Sequence, residues 1–174
     1  MTRRAAALLL ALLCGGCFGS DASLYDGARP LQPFHAGQVT TRDKDGKMSR
    51  MTLARDPGGF YRLTGSERGK DFGKGYRLRF FGLDGTGLLV AEVKECNDGF
   101  KACAASTGWL YELVRVTPGG AEWRDPDCSQ TFSKLSGVTV KIDSCNFSDR
   151  ASLEKALRGA ASLPWKADGA YLLH

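Results

Sequence analysis

Apolar and polar positions alternate with a period of two through much of this chain. Tyr76, Leu78 and Phe80 alternate with Arg77 and Arg79, and Val138, Val140 and Ile142 alternate with Thr139 and Lys141. That is the period of a strand with one wet face. Residues 88–93 and 109–116 are more continuously apolar, which predicts central strands or strands covered on both faces. Weaker strand signals fall at residues 38–42, 47–55, 60–64 and 121–124, and Tyr171-Leu172-Leu173 reads as a last strand closing the sheet. Between them stand Asp45-Gly46, Pro57-Gly58-Gly59, Asp84-Gly85 and Pro118-Gly119-Gly120. Such pairs between alternating segments are strong short-range hairpin signals, and short connections favour antiparallel pairing.

One helix interrupts the pattern. Ser148 or Asp149 can cap it, and Leu153, Ala156, Leu157 and Ala160 then share one face, with Glu154, Lys155 and Arg158 on the other. Gly159 weakens its end and Pro164 bars continuation. A helix of this kind covers the sheet. The predicted fold is mainly β: an antiparallel meander of about eight strands forming a small barrel or strongly bent sheet, with one C-terminal α-helix packed on it. A two-sheet sandwich is the alternative.

The chain opens differently. Met1-Thr2-Arg3-Arg4 is cationic, and residues 5–13 are uninterrupted alanine and leucine. The run is too short for a membrane span, which needs about 20 apolar residues. Charge, apolar run and then small residues form the layout of a secretory signal peptide, predicted over residues 1–16. Gly15-Gly16-Cys17 resembles the lipobox of bacterial lipoproteins. The resemblance implies that Cys17 is diacylated and becomes the mature N-terminus, and Phe18 in place of Asp after it implies the outer membrane. Cys14, preceded by Leu12 and Leu13, is then discarded with the signal peptide. Residues 17–33, with Gly, Ser, Asp and two prolines, read as the lipidated cysteine and a flexible tether, followed by a single β-rich domain over 34–174. Pro126-Asp127-Cys128 and Cys145-Asn146-Phe147-Ser148, leading into the helix, are similar to the C-terminal part of uncharacterised proteobacterial lipoproteins, a resemblance that implies no activity.

Without residues 1–16 the chain keeps 22 basic and 19 acidic residues, too mild a balance for a nucleic-acid partner. It also keeps Cys96, Cys103, Cys128 and Cys145, an even number that in an exported chain reads as a disulfide framework with three possible connectivities. Proximity favours Cys96–Cys103 and Cys128–Cys145. The spacings lack the CxxC knuckles of zinc sites, and no metal or cofactor is expected.

Catalytic chemistry has little to stand on. The two histidines, His35 and His174, lie beside the tether and at the last residue. Asp43-Lys44-Asp45-Gly46 opens like a calcium loop, but the twelfth position is Ala54 rather than Glu, so a hairpin turn is predicted. Asp125-Pro126-Asp127 reads as a turn before Cys128. Residues 68–79 hold five basic side chains, Arg68, Lys70, Lys74, Arg77 and Arg79, a candidate contact for an anionic polymer or lipid headgroup. Phe100 and Lys101 sit in the loop that a Cys96–Cys103 bridge would close, and a rigid loop presenting an aromatic suits partner binding. Phe72 and Trp123 lie in or beside loops, whereas Trp109, Tyr111 and Phe80 are expected in the core. These features predict a non-enzymatic envelope lipoprotein that binds a protein partner. Binding of an anionic polymer, lipid or small ligand is the alternative, and carboxylate-based hydrolysis a more distant one.

Overall fold

The computed structural model describes residues 17–67, 70–97, 108–128, 130–141 and 144–174, with the backbone alone at 66, 67, 70–74, 97, 130, 131 and 141. Eleven strands occur among them: β1 (Phe18–Ser20), β2 (Gly37–Asp43), β3 (Met48–Asp56), β4 (Phe60–Glu67), β5 (Lys70–Leu83), β6 (Leu88–Asn97), β7 (Trp109–Thr117), β8 (Gly120–Arg124), β9 (Val138–Lys141), β10 (Ser144–Phe147) and β11 (Gly169–Leu173). A single helical turn, α1 (Gln130–Ser133), precedes β9, and the helix α2 (Arg150–Ala161) precedes β11. The predicted signal peptide, residues 1–16, lies outside the described residues.

Strands β2 to β8 form a meander in which each pairs antiparallel with the next. The last strand, β11, inserts between β2 and β8 and closes an eight-stranded antiparallel barrel. Closure removes the sheet edges that an open meander would expose. Gly120 sits at the tight β7–β8 connection with φ 149°, and a Cβ there would stand 1.9 Å from the Tyr171 carbonyl oxygen. Only glycine lets β11 approach so closely.

The pleat sorts side chains into two cores. Inside the barrel lie Val39, Leu53, Tyr61, Leu63, Leu78, Phe80, Ala91, Val93, Val114 and Ala121. Phe34 plugs the end that carries the β3–β4, β5–β6 and β7–β8 connections: it packs edge-on against Phe80, and its carbonyl accepts from Tyr61 Oη at 2.9 Å and Arg55 Nη2 at 3.0 Å. The outer faces of β5, β6 and β7 bury a second cluster, Phe81, Leu83, Val90, Tyr111 and Leu113, under α2, β1 and β10. This double coverage accounts for the nearly continuous apolar run at 88–93 and for the buried Tyr111, Leu113 and Val114 within 109–116. As the pattern predicts, α2 turns Leu153, Ala156, Leu157 and Ala160 inward, and Asp149 caps it by accepting from Ser152 N at 2.8 Å.

The expected tether is a correction. Residues 18–33 are laid along the barrel: β1 adds to the first half of β7 and to β10, and Phe18 and Tyr25 are fully buried. A buried polar network holds the segment. The Glu92 carboxylate, fully buried, accepts from Arg79 Nε at 2.9 Å, Ser23 Oγ at 2.7 Å and Tyr111 Oη at 3.3 Å. Arg79 Nη2 reaches Ser23 Oγ at 2.7 Å and Asp26 Oδ1 at 3.3 Å, and Leu24 N donates to Tyr111 Oη at 3.1 Å. Composition suggested a tether because it weighs Gly, Ser, Asp and Pro; the two rings and two hydroxyls placed opposite Glu92 and Tyr111 decide otherwise.

Breaking one member of the pair should expose this dependence. Arg79→Met leaves Glu92 charged and buried, so the denaturation midpoint should fall by the equivalent of about 3–5 kcal/mol. The double variant Arg79→Met/Glu92→Leu should recover most of that loss in the same denaturant titration.

Candidate functional site

The barrel end opposite Phe34 carries the β2–β3, β4–β5 and β6–β7 connections, and it is built differently. Along β7, Tyr111 and Leu113 face the outer cluster, so Glu112 between them faces the interior with Val114. Strand β8 pairs with β7 only from Leu113 onward, where Leu113 meets Arg124, and β1 takes over at Tyr111. Glu112 therefore sits where β7 changes neighbours, opposite the point where Asp125 leaves the sheet. Asp168, just before β11, is clasped to the same place: its Oδ2 accepts from Asp125 N at 2.9 Å, and its own N–H donates to the Trp123 carbonyl at 2.9 Å. Three carboxylates from separate parts of the chain thus converge at the barrel mouth.

Their surroundings are aromatic and apolar. Trp123 packs against Tyr171 with ring centroids 4.4 Å apart. Both lie on the inner face, because Ala121, paired with Tyr171 across β8 and β11, belongs to the barrel core. Above them at the rim, Tyr76 and Leu110 remain 40% and 37% exposed. Beneath, the apolar interior is full: the void among Phe34, Val39, Leu53, Leu63, Leu78, Phe80, Tyr171 and Leu173 is about 20 Å³, room for about one water. Outside the rim a polar cleft of about 290 Å³ runs between the β2–β3 turn and Asp168, lined by Arg42, Asp43, Lys44, Gly46, Ala167 and Gly169.

The electrostatics follow from burial. Glu112 is partly buried as a residue, but its Oε2 is sealed from solvent and has no hydrogen-bond partner among the described residues. Burial, reinforced by the charges of Asp125 and Asp168, pushes its carboxyl from 4.5 up to about 8. Asp125 rises to about 6, again chiefly by burial, then by Asp168 and Asp127, with Lys44 opposing. Burial next to Glu112 and Asp125 also raises the Tyr171 hydroxyl well above its ordinary value. Near neutral pH the cluster can hold a proton, and it can surrender one when a positive group arrives.

The residues singled out from the sequence fare variously. Cys128 and Cys145 form a disulfide with Cα atoms 5.2 Å apart, tying the segment after β8 to β10. Cys96 is disulfide-bonded as well, while Cys103, its expected partner, lies outside the described residues, as do Arg68, Phe100 and Lys101. Lys70 and Lys74 belong to β5, with their side chains undescribed. Two members of the expected basic patch are engaged elsewhere: Arg79 in the buried network, and Arg77 on Asp56 at 3.6 Å and over the Phe60 ring. Asp43 makes the predicted hairpin turn, its Oδ1 accepting from Asp45 N and Lys47 N. Trp123 points into the barrel rather than out of a loop. Trp109, expected in the core, lies half-buried on the outer face, stacked on Phe60 with Arg79 and Lys94 beside it. Cys17 lies at the head of β1, and its carbonyl accepts from Cys145 N at 3.0 Å.

Glu112, Asp125, Asp168 and Tyr171 were not singled out as a site. One signal was present: a single carboxylate stands between Tyr111 and Leu113 in an otherwise largely apolar run.

A pH titration of stability should find this cluster. With its folded value raised, the Glu112 carboxyl binds more protons in the folded than in the unfolded state between about pH 4.5 and 8, so it lowers stability as pH rises through that window. Glu112→Gln should therefore melt higher than wild type above pH 8, by the equivalent of more than about 1 kcal/mol, and match it near pH 4. Equal melting curves at high pH would show that Glu112 is not buried as described.

Comparisons with protein-family models, with curated proteins and with solved structures each found no match.

Proposed function

We propose that the chain is a non-enzymatic binding module of the bacterial cell envelope, anchored through lipid on Cys17 at the outer membrane and recognising its partner at the barrel mouth. One observation carries the reading: the apolar interior is filled, and the strand ends leading into residues 68–69 and 98–107 leave the barrel at the end that holds the carboxylate cluster. A barrel packed to its centre leaves its rim and connections for recognition. The segment bearing Phe100 and Lys101 then contributes the protein contact, and Arg68, Lys70 and Lys74 add positive charge on the neighbouring connection. The mild net charge argues against a nucleic-acid partner. Two or more acyl chains on Cys17 would hold the module stably, whereas one chain holds only marginally. With β1 starting at Phe18, the barrel would ride against the bilayer without a spacer.

A second reading, hydrolysis by carboxylate acid–base chemistry, is favoured by the raised Glu112 and Asp125 carboxyls, since such shifts recur at catalytic sites. It requires turnover of an envelope glycan or ester that Glu112→Gln and Asp125→Asn both abolish. Binding without turnover supports the module.

Affinity capture from envelope extracts tests the protein-binding reading. Phe100→Ala should lose the captured partner while its melting temperature stays at the wild-type value; capture that survives the substitution counts against the proposal. If the partner is instead an anionic polymer or lipid, binding should weaken steeply with added salt. Mass spectrometry of the membrane fraction should find acylated Cys17 as the first residue, and Cys17→Ala should move the protein out of that fraction.

A further inference from the structure

We propose that Cys17 is acylated and freed at its N-terminal side before β1 joins the sheet, so that docking of residues 17–26 is a late folding step that closes the modification site. The inference deepens the lipid-anchor reading of Cys17 and rests on it.

An enzyme that modifies a peptide segment commonly takes it in extended form and holds its backbone by main-chain hydrogen bonds. In the folded chain that backbone is already engaged. Cys17 is only partly exposed, and its carbonyl accepts from Cys145 N at 3.0 Å. One residue on, β1 begins, with β10 on one side and β7 on the other. Phe18 is fully buried, its ring edge-on to Phe147 at 4.9 Å and to Phe132 at 5.5 Å. The fit between β1 and β7 leaves no slack: a Cβ on Gly108 would stand 2.5 Å from the Ser20 carbonyl oxygen, and one on Gly19 3.1 Å from that of Trp109.

The residues that follow are fixed as firmly. Ser20 Oγ lies 2.7 Å from Tyr111 Oη, and Asp21 Oδ1 accepts from Asn146 Nδ2 at 3.1 Å. Ser23 Oγ donates to Glu92 and accepts from Arg79, and Tyr25 stacks on Phe81 with centroids 4.2 Å apart. In the modification the Cys17 thiol exchanges its proton for a glyceryl carbon of a phospholipid, whose phosphate headgroup leaves with that proton. Water then cleaves the peptide bond before Cys17. Bringing Cys17 into an enzyme for either step means drawing Phe18 out of the outer core and unpairing β1 from both neighbours. Chemistry that needs such an opening slows in proportion to how seldom the open form is populated. The Cys128–Cys145 disulfide fixes β10, the partner of Cys17, so acylation belongs before β1 meets that strand.

Two rates measured on the full-length precursor test this. With Cys14→Ala in place, alkylation of the Cys17 peptide by iodoacetamide, followed by mass spectrometry, should be at least about tenfold slower in the folded, oxidised protein than in urea. Mixed with bacterial envelope membranes, the folded precursor should be acylated and cut at least about tenfold more slowly than precursor diluted straight from urea. Tyr25→Ala and the milder Ser23→Ala loosen the segment away from Cys17, so both should speed these reactions in the folded protein, with melting curves showing that the barrel is intact. Equal rates for folded and unfolded precursor, or folded variants no faster than wild type, would overturn the inference and leave the anchor reading standing. Membranes that acylate a control lipoprotein precursor but neither form of this one would overturn the anchor reading, and this inference with it.

Discussion

The ion pair between Arg79 and Glu92 is the point on which the molecule turns. A carboxylate with no solvent contact is tolerable only when its charge and its lone pairs are all engaged, and Glu92 draws its partners from β5, from β7 and from the segment before β2. The pair therefore specifies more than it stabilises. It sets where residues 20–26 must lie, and so brings Tyr25 against Phe81 and Phe18 against Phe147. Those rings close the outer core over β5, β6 and β7 together with α2. The arginine is shared further, its guanidinium lying over the Phe60 ring at 4.5 Å. A barrel meander and a helix-covered layer are joined into one body by this network.

The two faces of the sheet solve the burial problem in opposite ways. The outer polar residues under the N-terminal segment are gathered into a satisfied network. The inner face is apolar from the Phe34 plug up to Leu89 and Val114, and then, one residue pair higher, Glu112 stands across from Ala91. A change from full packing to an unsatisfied carboxylate within one strand is a departure from consistency of the kind that marks functional positions. The outward pairing of Arg115 with Glu122, which also accepts from Trp165 Nε1, shows that the same strand handles charge in the ordinary way where it is solvated.

Much of the fold was legible from local pattern. The alternation at 76–80, the Asp-Gly and Pro-Gly turns and the spacing of Leu153, Ala156, Leu157 and Ala160 each report a local constraint, and each element formed where expected. Tyr171-Leu172-Leu173 reads as a last strand closing the sheet, and β11 does so between β2 and β8. What stayed hidden depended on partners distant in sequence. The segment after Cys17 has the composition of a linker and the contacts of a core element, since Ser23 and Glu92 meet across sixty-nine positions. The mouth cluster is of the same kind: Glu112 reads as one charge in an apolar strand, Asp125 as a turn residue and Asp168 as one more loop acid. Only the barrel's closure sets the three side by side.

The topology also bears on how the molecule behaves in a crowd. Among the described strands, every one but β9 has a neighbour on each side, and β9 is four residues long with Thr139 and Val140 exposed and Lys141 at its end. A short edge ending in a positive charge is a poor template for another chain's strand. Proteins concentrated on a surface meet one another far more often than they do in solution, and a sheet with a long bare edge would polymerise there. Among its described strands this one offers a copy almost nothing to add to, so crowding gives those strands little route into fibres.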